Sequence, residues 1–465
     1  MASSAFFSDL LSSIADRGRS LLGLAEAEKD PVKRAATLID LCEQLLSGRG
    51  EASGAALARE VLERYATLDE TARKTFFAAL SEKFGPDKAK LAAAVEAFAK
   101  DGSDRHAADI HFSSEPRRQE LFRRLNRAPG GTAALVHMRE QLLEATRKET
   151  SLKGVDRDFS HLLSSWFNRG FLVLRRIDWS SPAIVLEKII RYEAVHEIRD
   201  WDDLRRRIDP VDRRCYAFFH PALNDEPLIF VEVALTPEIP AAVQPLLAPG
   251  RKTVPLKDAR TAVFYSISNC QQGLAGVSFG NFLIKQVVEE LRRELPRLET
   301  FVTLSPVPGF MRWLQTDAKP LLTPEDQALL GFLDDETWIA DEAYKSQVRP
   351  LIESLAAYYF LEARSSNGRA RDPVARFHLG NGASLERINW LGDTSPKGLK
   401  ESAGVMVNYL YDLGEIEKNH EAYANQGVIA ASSAVRRALR SAGRIKPPET
   451  NGGTQDKAIA KQATA

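Results

Sequence analysis

Thr261-AVFYSISNCQQGLAGVSFGNFLIKQVVEE-Leu291 is the stretch on which the fold turns. Thr261–Ser268 reads as a buried strand, rich in β-branched and aromatic residues. Gln271–Gly280 carries three glycines and reads as a turn. Asn281–Leu291 has the apolar spacing of an amphipathic helix. A strand that feeds a glycine turn and then a helix forms an anion site. The glycines admit close backbone approach, and the first helical N–H groups lack partners of their own. The pattern therefore predicts a phosphate-bearing ligand on Gln271, Gln272, Gly273, Ala275, Gly276, Val277, Ser278, Phe279, Gly280 and Asn281. The plainer alternative is a helix start with tightly packed glycines.

The rest of the 465-residue chain is long enough for two domains. Residues 1–155 are rich in Ala, Leu, Glu, Arg and Lys, with apolar positions three and four apart. Ala56, Leu57, Val61, Leu62 and Tyr65 mark one helical face, Leu91, Val95 and Phe98 a second, and Leu135, Met138, Leu142 and Leu143 a third. This predicts an all-helical scaffold or oligomerisation domain. Pro129-Gly130-Gly131-Thr132 predicts a turn, with Thr132 capping the next helix. From residue 156 to 445 the pattern becomes mixed. Strands are expected at 183–186, 215–220, 228–235, 262–267, 301–304, 375–379 and 384–390, and helices at 281–295, 351–364 and 402–413. The fold class expected is α+β, a helical domain followed by a mixed α/β catalytic domain. Residues 446–465 read as a disordered tail.

Lys+Arg 63 balances Asp+Glu 63, which leaves no global field for nucleic acid or anionic membrane. No apolar run reaches membrane-helix length. Cys42, Cys215 and Cys270 lie far apart, and the eight histidines show no ligand spacing, so neither zinc nor another metal is expected. Nothing reads as a signal peptide or presequence, and a cytoplasmic protein is expected.

Three local motifs carry chemistry. Gly276-Val277-Ser278-Phe279-Gly280 matches G-x-S-x-G between a strand and a helix, the setting of a hydrolase nucleophile elbow. Ser305 follows a strand in a stretch stiffened by Pro306 and Pro308, where a hydroxyl can be held in place; an ordinary strand-ending turn is the alternative. His378 precedes Gly380-Asn381-Gly382, read here as strand then tight turn, with a core histidine as the alternative.

Taken together, longer segments resemble the malonyl-CoA decarboxylase family. They are Phe219-His220-Pro221-Ala222-Leu223 with the Glu226–Thr236 run, Tyr265–Ser268, Gln271–Gly276 with Leu283-Ile284-Lys285, and Leu304–Phe310. Phe377–Ala383, Arg387-Ile388-Asn389-Trp390 and Asn408–Tyr411 follow in family order. The resemblance implies an acetyltransferase-like (GNAT) catalytic domain, malonyl-CoA as substrate, acetyl-CoA and carbon dioxide as products, and no further cofactor. It places the coenzyme's pyrophosphate on Gly273–Gly280, and catalysis on Ser305 and His378. Ser266, Asn389 and Tyr411 are expected to line the site. His378 is assigned as donor to the enolate and proton source, and Ser305 as holder of the carboxylate, with the two roles exchangeable. Some family members carry an acidic residue at the position of Ser278, so the resemblance gives that side chain no required role. A homodimer or homotetramer is expected. The alternatives are an acyl-CoA-dependent acyltransferase on the same fold and a serine hydrolase acting through Ser278.

Overall fold

The computed structural model describes residues 30–47, 51–277, 283–365 and 368–441. Ser278, Phe279, Gly280 and Asn281, and the tail at 446–465, lie outside them. The described chain divides into two compact units. The first takes the residues up to Phe171 together with His220–Asn224 and 271–277, and the second takes the remainder.

The first unit is helical: α1 (Pro31–Leu46), α2 (Glu51–Ala66), α3 (Glu70–Glu82), α4 (Lys88–Asp101), α5 (Asp104–Ser114), α6 (Arg117–Asn126), α7 (Gly131–Thr146) and α8 (Lys153–Trp166). Side-chain caps start several of them. Asp30 accepts from the Val32 amide, Asp69 from Ala72, and Ser103 from His106. The unit extends past residue 155 because α8 buries Val155, Phe159 and Leu162, and Phe159 stacks on Phe122 with ring centroids 4.0 Å apart. Two of the three expected faces meet the core: Val61, Leu62 and Tyr65, and Leu135, Met138 and Leu142 are buried. The face of α4 does not. Val95 and Phe98 are exposed, Ala94 is the one buried residue of α4, and α5 buries none.

Thr132 is not the cap of α7. Gly130 is, at φ 73°, and the Thr132 hydroxyl donates to Asn126 Oδ1 at 2.8 Å. A side chain on Gly131 would meet the Leu125 carbonyl oxygen at 2.2 Å, so packing selects the glycine there.

The second unit is built on an eight-stranded sheet of β1 (Val173–Ile177), β2 (Arg213–Phe219), β3 (Pro227–Thr236), β4 (Thr261–Asn269), β5 (Thr300–Thr303), β6 (Ser305–Pro306), β7 (Ser384–Asn389) and β8 (Met406–Leu410). The order is β1-β2-β3-β4-β5-β8-β6, with β7 also on β8. Every pairing is antiparallel except β4 with β5. The helix Leu283–Glu294 makes the crossover that a parallel pair requires. The mixed sheet with flanking helices has the α+β form expected.

One irregularity creates the site. β4 pairs with β5 from Thr261↔Thr300 to Phe264↔Thr303 and no further. Beyond that point β4 runs on against β3, while the chain leaving β5 turns into β6 and pairs with β8. The register of β3 and β4 slips at the same level: Glu232 faces Ser266, Val233 faces Phe264, and Tyr265 is the extra residue. The sheet forks there.

Helices of this unit that matter below are α9 (Ala183–Tyr192), α10 (Trp201–Ile208), α11 (Leu283–Glu294), α12 (Glu342–Leu361), α13 (Pro373–Gly380) and α14 (Pro396–Ser402). Three expectations are corrected. Residues 183–186 are helix, because Val185, Leu186 and Ile189 make one buried stripe that four residues are too few to reveal. Residues 375–379 are helix, because Asp372 caps the Ala375 amide and Pro373 occupies the first turn. Residues 402–413 hold a strand in place of the expected helix. α14 ends at Ser402, Ala403 and Gly404 turn at positive φ, and β8 follows, buried from Met406 to Tyr409.

Candidate active site

Three elements meet at the fork. β5 and the start of β6 bring Thr303 and Ser305, which share a face because strand side chains alternate. α13 brings His378 near its C-terminal end. β8 and the residues after it bring Tyr409 and Tyr411.

These residues form one hydrogen-bonded chain. Ser305 Oγ donates to Thr303 Oγ1 at 2.8 Å. Ser305 Oγ also lies 3.1 Å from His378 Nε2, and His378 Nδ1 lies 2.8 Å from the Tyr411 hydroxyl. With the serine proton on Thr303, Nε2–H is the donor to Ser305 Oγ. Nδ1 is then the acceptor, and Tyr411 donates to it. The ring is held flat against Tyr409, with centroids 4.5 Å apart at 26°.

A further layer holds Thr303. The Tyr409 amide donates to Thr303 Oγ1 at 3.1 Å, and Asn408 Nδ2 to the Thr303 carbonyl at 2.7 Å. Asn389 Nδ2 donates to Asn408 Oδ1 at 2.8 Å, and Arg387 Nε to the side-chain oxygens of Asn389 and Asn408. Asn389 thus lies behind the reactive residues, two hydrogen bonds from Thr303.

His378 is 2% exposed and Ser305 5%. Burial pushes the His378 pKa down to about 3, so the imidazole is neutral near pH 7. Burial also raises the Tyr411 phenol well above its ordinary value, which keeps it a donor. The sign for stability follows. A histidine depressed on folding stabilises fully above its unfolded value near 6.5, and the contribution is lost as pH falls toward 3. The loss is about 1.4 kcal/mol per pH unit in that window. Urea unfolding between pH 7 and 4 should therefore be steeper in pH for wild type than for His378→Asn. Parallel curves would contradict a buried neutral imidazole.

Ser266 lies on β4 just past the fork. Its hydroxyl donates to the Glu193 carboxylate at 2.7–2.8 Å, and Ser268 donates to the same group at 3.2 Å. The Gln271–Val277 turn follows β4 in the chain. Gln272, Ala275 and Gly276 are exposed there, and Leu274 and Val277 are buried. Its glycines differ in kind. Gly276 has φ 76° and open space where a side chain would stand. A side chain on Gly273 would meet the Val136 carbonyl oxygen at 1.9 Å, and Arg139 Nη1 donates to the Gly273 carbonyl at 2.8 Å. Gly273 is a packing glycine. The elbow serine, Ser278, lies outside the described residues.

Sequence reading missed Thr303, Asn408, Tyr409 and Glu193. Thr303 was open to it, since two-residue spacing from Ser305 on a strand puts both on one face. Glu193 was not, because 73 residues separate it from Ser266. All three cysteines are free and buried, and burial pushes the Cys42 thiol up to about 12, so they are poor nucleophiles.

The family models described as malonyl-CoA decarboxylase C-terminal and N-terminal domains match residues 170–447 and 84–167. A goose (Anser anser anser) protein described as mitochondrial malonyl-CoA decarboxylase is 38% identical over 413 residues, 81% of this chain and 82% of its own. A mouse protein of the same description is 38% identical over 354 residues, 70% and 72% of the two chains. The crystal structure of malonyl-CoA decarboxylase from Rhodopseudomonas palustris is 59% identical with a TM-score of 0.85, covering 87% of this chain and 99% of that one. The enzyme from Agrobacterium vitis is 55% identical with a TM-score of 0.82, at the same coverages. With both domain models in sequence order and this likeness along most of its length, the chain belongs to the malonyl-CoA decarboxylase family.

Proposed function

We propose that this protein converts malonyl-CoA to acetyl-CoA and carbon dioxide, with Ser305 and His378 at the chemistry. The observation that carries the assignment of residues is the buried chain Tyr411–His378–Ser305–Thr303 at the fork of the sheet. As the bond between the α-carbon and the carboxylate breaks, its electron pair passes into the thioester, giving carbon dioxide and an enolate. A proton then adds to the α-carbon. The thioester is itself the electron sink, so no further cofactor enters the scheme.

Hydrogen-bond donors aimed at the developing oxyanion act strongly in a dry site. His378 Nε2–H and the Ser305 hydroxyl are such donors, with exchangeable roles: one on the enolate oxygen, the other on the departing carboxylate. A neutral His378 offers that carboxylate no ion pair, so its loss as carbon dioxide is not opposed. His378 delivers the proton, the Tyr411 hydroxyl steadies Nδ1, and solvent restores the proton spent. The turn Gly273–Gly280 receives the coenzyme's pyrophosphate.

Acetyl-CoA formation from malonyl-CoA, in EDTA and without an acceptor, tests the reading. Turnover is expected. Turnover only on adding an acceptor nucleophile would make the protein an acyltransferase instead, and labelling of Ser278 by a fluorophosphonate would favour the hydrolase.

We further propose a homo-oligomer joined through α4 and α5, and a cytoplasmic location in keeping with three unpaired thiols. Among the described residues no helix is long and apolar enough to cross a membrane. The α4–α5 hairpin leaves Val95, Phe98 and Phe112 exposed, Phe112 at 73%. Phe112→Glu should shift the mass measured by light scattering to a smaller species without loss of helicity. An unchanged mass would sink this interface.

A further inference from the structure

Five arginines gather on one side of the second unit. Arg206, Arg207, Arg213 and Arg251 line a cavity of about 110 Å³ with Asp203, Leu246 and Gly250, and Arg199, largely exposed, lies beside Asp203. A water needs only about 10–15 Å³ of such space, so the cavity has room for a small ion.

The cations outnumber the carboxylates beside them, and Arg207 and Arg213 also donate to backbone carbonyls. Asp203 is shared by Arg206, Arg207 and Arg199 at 3.2, 3.5 and 3.8 Å. Asp212 takes Arg251 through both oxygens, at 2.6 and 2.9 Å, and stands 3.8 Å from Arg213. Glu232 pairs with Arg207 at 3.2 Å. Three carboxylates thus serve five guanidinium groups, and adding Glu193, whose field also reaches Arg207, still leaves a positive excess. Burial pushes Glu232 up to about 8, which widens it. Arg207 is 4% exposed and Arg213 2%, and uncompensated charge at that depth is expensive. The Nε atoms of Arg206 and Arg207 are buried without a hydrogen-bond partner. Guanidinium groups lining a cavity with excess positive charge call for an oxyanion.

The geometry points to a binding site here for a small phosphate-class oxyanion, either the free ion or the phosphate of a small monoester. It shares no residue with the turn assigned to the coenzyme. The assignment does not depend on the decarboxylase reading, and its test needs no turnover.

Thermal unfolding in inorganic phosphate and in glycerol phosphate, each against sodium chloride of equal ionic strength, tests it. A ligand that binds only the folded state raises Tm with saturation. A saturable rise in phosphate is expected, with about tenfold weaker binding in Arg206→Gln. A response to both ligands would identify a monoester site, and a response to phosphate alone a site for the free ion. Ala248→Glu places a carboxylate on the cavity wall. It should abolish the response and raise Tm in the absence of phosphate. No saturable rise over chloride, or an equal rise in both variants, overturns the site.

Discussion

Replacing His378 with asparagine should lower kcat for acetyl-CoA formation by on the order of 10²–10⁴-fold, the usual worth of a positioned proton donor. The asparagine amide keeps a donor and much of the volume but has no ring nitrogen to bridge Ser305 and Tyr411. In the wild type that bridge spans 3.1 Å on one side and 2.8 Å on the other. KM should change much less than kcat, since the loss falls on a group that acts in the transition state. Steady-state kinetics on folded variant protein, checked by circular dichroism, decides it. A variant within threefold of wild type would remove His378 from the chemistry and leave the family assignment intact.

Ser305→Ala should cost about 10²–10³ in kcat, the measured scale for losing one donor in an oxyanion site. Two effects combine. The hydroxyl no longer reaches the substrate, and His378 Nε2–H loses the acceptor that orients it. Thr303 Oγ1 keeps the Tyr409 amide as donor, so the backbone of the fork should hold. Unfolding free energy should fall by only about 1 kcal/mol. The double variant with His378→Asn should be little worse than the poorer single one, because the two residues act as a unit. Multiplicative losses would mean that they act separately.

The pairing of strands at the fork explains why a serine and a histidine 73 residues apart in the chain can cooperate. Parallel pairing with β4 ends at Phe264↔Thr303, while the chain that leaves β5 keeps β8 as its partner, and the residues that follow β8 carry Tyr411 to His378.

The strand–turn–helix order around Thr261–Leu291, the helical start of the chain and the ordered motifs were legible in the sequence, because each is written in neighbouring residues. Runs of β-branched and aromatic residues marked β3 and β4, and spacing of three and four marked the buried faces of α2 and α7. The Gly-rich turn after His378 suggests a strand, whereas Asp372-Pro373 starts the helix that carries it. The tertiary structure decided what depends on distant partners. It turned Asn389 toward Asn408, joined Ser266 to Glu193, and fitted Gly273 against Val136. It alone made His378 neutral, since desolvation depends on what packs around a ring, and it alone left the face of α4 bare. Local pattern records which face of a helix is apolar; only packing determines what, if anything, covers it.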